Sequence, residues 1–205
     1  MKFAAAALSG AALFVTLSFF APQLTAADAA TPRKAPELAF TIPGQGPKLL
    51  SQYRGKVVAL EFIFTTCPHC QAASKVMSKF QEEYGSRGLQ VLDIAVNDNA
   101  DLLVENFSRD YQVKFPVGYT PQPQMVAFMG FPSNYFVVPQ LVLIDRAGVI
   151  HYQTPARENA DWDNLMKEEN IRAHIEELLG GGSSKHTSNA ASKVALTKHP
   201  ASKVQ

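Results

Sequence analysis

The residues best placed to do chemistry are Cys67, Pro68, His69 and Cys70. The chain holds no other cysteine, so no disulfide can staple distant segments and the two thiols act together. If a helix begins here, the i, i+3 spacing puts both sulfurs on one side of it. Cys67 then stands at the N-cap, where the positive end of the helix dipole and unpaired N–H groups favour its thiolate. Pro68 suits the first helical position, because its fixed φ fits there and its missing N–H is no loss. Cys70, one turn inside, is shielded. An exposed nucleophile backed by a second thiol is what thiol–disulfide exchange needs: Cys67 attacks, a mixed disulfide forms, and Cys70 displaces the product.

Other chemistries compete for the same residues. Zinc would need a second pair of ligands to complete a tetrahedral set, and neither His151 nor His174 shows partner spacing. A copper- or other metal-binding module is the stronger alternative, with Cys67, His69 and Cys70 joined by Met125 or Met129, since soft ligands favour Cu(I). A purely structural disulfide would close a very small loop, for which the gain in chain entropy is least. The redox reading fits best, and no cofactor or resident metal is expected for it.

The surrounding elements give the pair its position. Lys56 to Phe64 is a nearly continuous apolar run, expected as a central strand covered on both faces. From Pro68 the spacing turns helical, with Ala72, Val76, Met77 and Phe80 on one side and Gln71, Lys75, Lys79 and Glu82 on the other, ending near Gly85 and Gly88. Leu89 to Val96 reads as a second buried strand, and Asn97, Asp98 and Asn99 offer caps for a helix carrying Leu102, Leu103, Phe107 and Tyr111. The stretch from Pro121 to Asn134 contains a short helix around Met125 to Met129 and is either a docking loop or filler. Pro139 to Asp145 and Val149 to Tyr152 form a hairpin signal around Gly148. A last helix is expected from Asp161 to Leu179, carrying Trp162, Leu165, Met166, Ile171, Ile175 and Leu178. The sum is an α/β domain, with helices on both faces of a mixed sheet.

Net charge is +1, from 19 basic against 18 acidic residues, too even a balance to hold nucleic acid. Residues 1–27 join Lys2, an apolar stretch from Leu8 to Phe20 and small residues after Pro22, the pattern of a secretory signal peptide, with an uncleaved membrane anchor as the alternative. That places the folded part, residues 31–180, in the periplasm or in the secreted medium, where paired thiols can be oxidised. Residues 181–205 open on Gly and Ser and carry lysines without a carboxylate side chain, so a disordered tail is expected, with His186 and His199 solvated in it.

Several landmarks run in a familiar order: Ala35-Pro36-Glu37-Leu38-Ala39-Phe40-Thr41-Ile42, Tyr53-Arg54-Gly55-Lys56-Val57-Val58, Cys67-Pro68-His69-Cys70, Phe115-Pro116-Val117, and Val138-Pro139 followed by Leu143-Ile144-Asp145-Arg146-Ala147-Gly148. In these the chain resembles the thioredoxin superfamily and, within it, the TlpA-like periplasmic thiol–disulfide oxidoreductases. Thr66 stands where that family carries a tryptophan. The resemblance implies a thioredoxin-like fold and an enzyme whose partners are protein thiols or disulfides, together with a membrane redox partner. It also implies that Pro139 is the cis-proline facing the two cysteines, and that Val138 pairs through its backbone with an extended substrate. Glu61 falls where the superfamily places a buried acid beneath the site. A carboxylate in an apolar strand is costly unless paired or protonated, so Glu61 is assigned as proton acceptor for Cys70, with a satisfied core carboxylate as the plain alternative.

The dipeptide between the cysteines is Pro-His, as in DsbA-type oxidases. His69 can favour the sulfur anion, and stabilising the thiolate makes the disulfide a better oxidant; thioredoxin and DsbA differ by about 150 mV. The motif leans oxidising while the scaffold resembles reductants, and the expectation is a pair more oxidising than thioredoxin's. A thiol peroxidase of the peroxiredoxin type is the remaining alternative, but Leu60 and Phe64 stand where its proline and hydroxyl residue belong.

Overall fold

The apolar run after Lys56 becomes the middle of an eight-stranded sheet in the computed structural model, which describes residues 30–180. The expected signal peptide at 1–27 and tail at 181–205 lie outside the described residues. The chain runs β1 (Arg33–Lys34), β2 (Ala39–Ile42), β3 (Gly46–Leu49), β4 (Val57–Ile63), α1 (Pro68–Tyr84), β5 (Leu89–Ala95), α2 (Ala100–Asp110), β6 (Val117–Tyr119), α3 (Gln122–Met129), β7 (Gln140–Ile144), β8 (Val149–Gln153), α4 (Ala160–Leu165) and α5 (Glu168–Leu178). Strand order is β1-β8-β7-β4-β5-β6-β2-β3. The β4–β5 and β5–β6 pairs are parallel and the others antiparallel, which makes the sheet mixed.

This order forces the sheet to bend. Six strand spacings separate β1 from β2, about 29 Å if flat at about 4.8 Å each. The link between Lys34 and Ala39 reaches about 19 Å at most, at about 3.8 Å per residue step. The sheet therefore curls around that link, whose Leu38 is buried in the core.

Every residue of β4 is buried, so its side chains sort by strand alternation alone. Val58, Leu60 and Phe62 join Leu92, Ile94 and the α3 side chains Met125, Phe128 and Met129 on one face. Val57, Ala59 and Ile63 join α1, α2 and α5 on the other. Helices thus cover both faces, as expected. The stretch from Pro121 to Asn134, open in sequence between docking loop and filler, includes this core helix.

Four local expectations are corrected. On α1, Ala72 is exposed while Ser74 and Ser78 are buried with Met77 and Phe80, because the helix face turned inward meets a polar group on β5. On α2, Leu102 is 71 % exposed, and Ala100, Val104 and Phe107 form the buried stripe. Asn97, Asp98 and Asn99 give it no side-chain cap; Asn99 adopts a left-handed φ of 56°, which asparagine tolerates. The last helix is two, because Leu165 and Ile171 lie about 120° apart on one continuous helix at about 100° per residue. A break at Met166 and Lys167, where Lys167 is extended, brings Leu165, Ile171 and Ile175 into one core. The first of these helices is capped by Asn159, whose Oδ1 accepts from the N–H groups of Asp161 and Trp162 at 3.0 and 2.9 Å. Among the described residues no helix is long and apolar enough to cross a membrane.

Candidate active site

Cys67 is the N-cap of α1, extended at φ −84° and ψ 120°, with Pro68 as the first helical residue. It is half-buried, whereas Pro68 and His69 are exposed and Cys70 is fully buried; both thiols are free. Its backbone is tied on both sides, Cys67 N donating to Phe64 O at 3.0 Å and Gln71 N donating to Cys67 O at 3.1 Å. The preceding Thr65 N donates to Asn97 Oδ1 at 2.9 Å, so the asparagine expected to cap α2 instead holds the turn that leads into Cys67.

Cys70 packs with Ile63, Ala95, Val104 and Phe107. Burial pushes its thiol far above the ordinary range; a hydrogen bond with the Phe64 backbone pulls it back in part, and Cys67 and the charge of Glu61 add to the rise. The two sulfurs of one motif thus have opposite exposures, set by a single turn of helix.

The loop before β7 comes up against Cys67. The Val138–Pro139 bond is cis, and the Cys67 Sγ–H donates to Val138 O at 3.9 Å. Gln140 fixes that loop from below. Its Nε2 donates to Val137 O at 2.9 Å and to Pro155 O at 3.2 Å, and its Oε1 accepts from Thr154 Oγ1 at 2.5 Å. Val137 N donates to Ala156 O at 2.9 Å. Gln140 and Thr154 are fully buried polar residues that sequence reading passed over; the signal was a glutamine immediately after the proline.

Beneath the cysteines lies Glu61, fully buried, with both carboxyl oxygens lacking a hydrogen-bond partner among the described residues. Register places Asp93 beside it on β5, also fully buried. Sequence reading missed Asp93, although a carboxylate in a second apolar run is the same signal that marked Glu61. Ser74 Oγ on α1 donates to Asp93 Oδ2 at 2.5 Å. Burial, reinforced by the charge of Asp93, holds the Glu61 carboxyl well above its usual range. Burial also pushes Asp93 up to about 7, with the Ser74 hydrogen bond and the neighbouring Glu61 carboxyl opposing.

Among the described residues no group of His, Cys, Asp and Glu converges as a metal site. Met125 and Met129 are fully buried in the cluster on the α3 face, whereas Cys70 belongs to the cluster under α1 and α2. The methionine that could join the copper alternative, Met125 or Met129, therefore lies in a different cluster from Cys70.

Residues 32–153 match the AhpC/TSA family, and the chain belongs to it. The protein is similar to the thiol-disulfide oxidoreductase ResA of Bacillus thuringiensis subsp. konkukian, 28 % identical over 107 residues that cover 52 % of this chain and 59 % of that protein. ResA of Geobacillus kaustophilus is 27 % identical over 144 residues, 70 % of this chain and 75 % of that one. The chain thus spans 59 % of the length of the first curated relatives it matches. Among solved structures, a putative thiol:disulfide interchange protein DsbE from Chlorobium tepidum superposes with a TM-score of 0.55 at 28 % identity, covering 70 % of this chain and 96 % of that one. A thiol:disulfide interchange protein from Bacteroides sp. gives 0.60 at 14 % identity over 78 % and 97 %, a likeness of fold. The fold is thioredoxin-like, and the relatives fit the TlpA-like resemblance read from the sequence.

Proposed function

We propose that this AhpC/TSA-family protein is a thiol–disulfide oxidoreductase that acts outside the cytoplasm and exchanges disulfides with protein substrates through Cys67 and Cys70. The observation that carries the reading is a half-buried thiol at the start of α1 backed by a fully buried thiol one turn inside. The names of the ResA and DsbE relatives support it.

In the reducing direction the Cys67 thiolate attacks one sulfur of a substrate disulfide. A mixed disulfide forms, and the other substrate sulfur leaves as a thiolate that takes up a proton. Cys70 then gives up its proton and attacks the Cys67 sulfur. The Cys67–Cys70 bond forms, the mixed disulfide breaks, and the second substrate sulfur leaves and is protonated. Two electrons have passed from the pair to the substrate, and oxidation is the reverse. Pro68 starts the helix, and His69 favours the sulfur anion and hence the reduced pair. Val138 offers its backbone to an extended substrate beside Pro139, and Glu61 receives the proton of Cys70. Export rests on the pattern of residues 1–27, and a membrane redox partner would reset the pair after each turnover.

Cys67→Ser is expected to reduce insulin-disulfide exchange to background, whereas Cys70→Ala retains the attacking sulfur and accumulates mixed disulfides that identify the substrates. Exchange that survives Cys67→Ser would end the proposal. Equilibration with glutathione reads the direction: a potential at or below that of thioredoxin, about −270 mV, would remove the oxidising assignment of His69. Hydroperoxide consumption that depends on Cys67 and exceeds disulfide exchange would favour the peroxidase reading instead.

A further inference from the structure

Glu61 and Asp93 are, among the described residues, the only carboxylates with no exposure at all, and they are register partners on adjacent parallel strands. Neighbouring side chains supply no cation. Leu141 on β7 pairs with Glu61 and Val117 on β6 with Asp93. The side chains buried by α2 and α5 are Ala100, Val104, Phe107, Ile171 and Ile175. From α1 come Cys70 and Ser74, and Cys67 lies above Cys70. Ser74 occupies Asp93 Oδ2, which leaves Asp93 Oδ1 and both Glu61 oxygens without a donor.

Two carboxylates side by side in an apolar site cannot both be ionised, because neither desolvation nor their mutual repulsion is offset. A single proton shared between them removes one charge and supplies the missing donor, turning two orphaned acceptors into one charge-assisted hydrogen bond. Glu61 then already holds a proton when Cys70 must lose one.

We infer that Asp93 is a positioning residue for resolution, acting through Glu61: the Cys70 proton moves onto a Glu61 oxygen while the proton Glu61 already carries passes to Asp93 Oδ1. The inference rests on the proposed exchange function and adds the place where its proton goes. In the step itself Cys70 ends as a thiolate and both carboxyls end protonated. When the Cys67–Cys70 bond has formed, the extra proton leaves to the departing substrate thiolate or to solvent, and the pair returns to its singly protonated state. Ser74 keeps Asp93 oriented, with Oδ1 as the free acceptor. Asp93 titrating at about 7 is consistent with this order of events.

The test follows the reduced protein reacting with 5,5′-dithiobis(2-nitrobenzoate). The first thionitrobenzoate released reports attack by Cys67, and the second reports resolution by Cys70. Asp93→Asn is expected to leave the first phase near its wild-type rate, to slow the second about a hundredfold at neutral pH, and to abolish its inflection near pH 7. A second phase with wild-type rate and pH profile in Asp93→Asn overturns the inference. Carbon-13 carboxyl titration of the reduced wild-type protein gives a readout independent of activity and of the variant's folding. Asp93 should titrate near neutrality in step with Glu61, and an Asp93 midpoint below pH 5 overturns the inference. Failure of the first phase in wild type would defeat the exchange function itself, and the carboxyl titration would still decide the pairing.

Discussion

The two faces of the β4–β5 pair are built from the same two strands, yet they hold different chemistry. Towards α3 they present Leu60, Phe62, Leu92 and Ile94, an apolar layer in which Phe62 meets Phe128 edge-on at 5.7 Å between ring centroids. Towards α1 they present Glu61 and Asp93, and the helix answers with Ser74 and Cys70. One face does what cores ordinarily do, removing apolar surface from water. The other accepts the cost of buried carboxyls directly beneath a buried thiol. The contrast teaches that the two buried carboxyls of this strand pair are confined to the face that also carries the buried thiol.

If the faces divide the work in this way, damage to the first should cost stability alone. Phe62→Ala is expected to destabilise by about 3–5 kcal/mol, measured by urea unfolding, with the exchange rate per folded molecule unchanged. A matching loss of rate in the folded fraction would break the division. The second face should show itself in pH. Folding raises Asp93 from 3.8 to about 7, so the native state takes up a proton. The stability this proton brings is full below about pH 4 and is lost as pH rises through 7. The Asp93 proton alone therefore makes stability fall between pH 5 and 7 with a slope of at most about 1.4 kcal/mol per pH unit, to which the proton held by Glu61 adds in the same direction. Asp93→Asn should flatten that slope, and an unchanged slope in the urea midpoints would contradict the contrast. The smallest effect lies away from both faces: Asn159→Ala removes the cap of α4, costs about 1 kcal/mol, and should leave exchange untouched.

Much of this was legible in sequence where one short segment carries its own signal. The β4 run is apolar but for Glu61, and Cys67-Pro68 states both a thiol and a helix start, so strand, helix and site were readable together. Glu61 stood out as the one charge in that run. Asp93 is the same kind of residue in the next run, but its importance arises only when register sets it beside Glu61, and register is not written in either strand alone. Gln140 escaped for a related reason, since its partners at Val137, Thr154 and Pro155 come together only once the β7–β8 hairpin has closed. β1 and β3 are short edge strands with little periodicity to detect, and β2, paired on both sides, is only four residues long. The break between α4 and α5 is decided by which residues the core demands, and the helical pattern on either side is continuous enough to hide it.

The stretch from Arg33 to Leu49 borders the sheet on both flanks, β1 lying on β8 at one margin while β2 and β3 extend β6 at the other. A chain deprived of it would lose both margins in one cut, leaving β8 and β6 with bare hydrogen-bonding groups that invite pairing between molecules. It also cannot find its full place early, because Arg33 waits for Ile150, which a ribosome supplies more than a hundred residues later. The first of the described strands can therefore be seated only after β8 has been made, and it fastens a margin of the sheet.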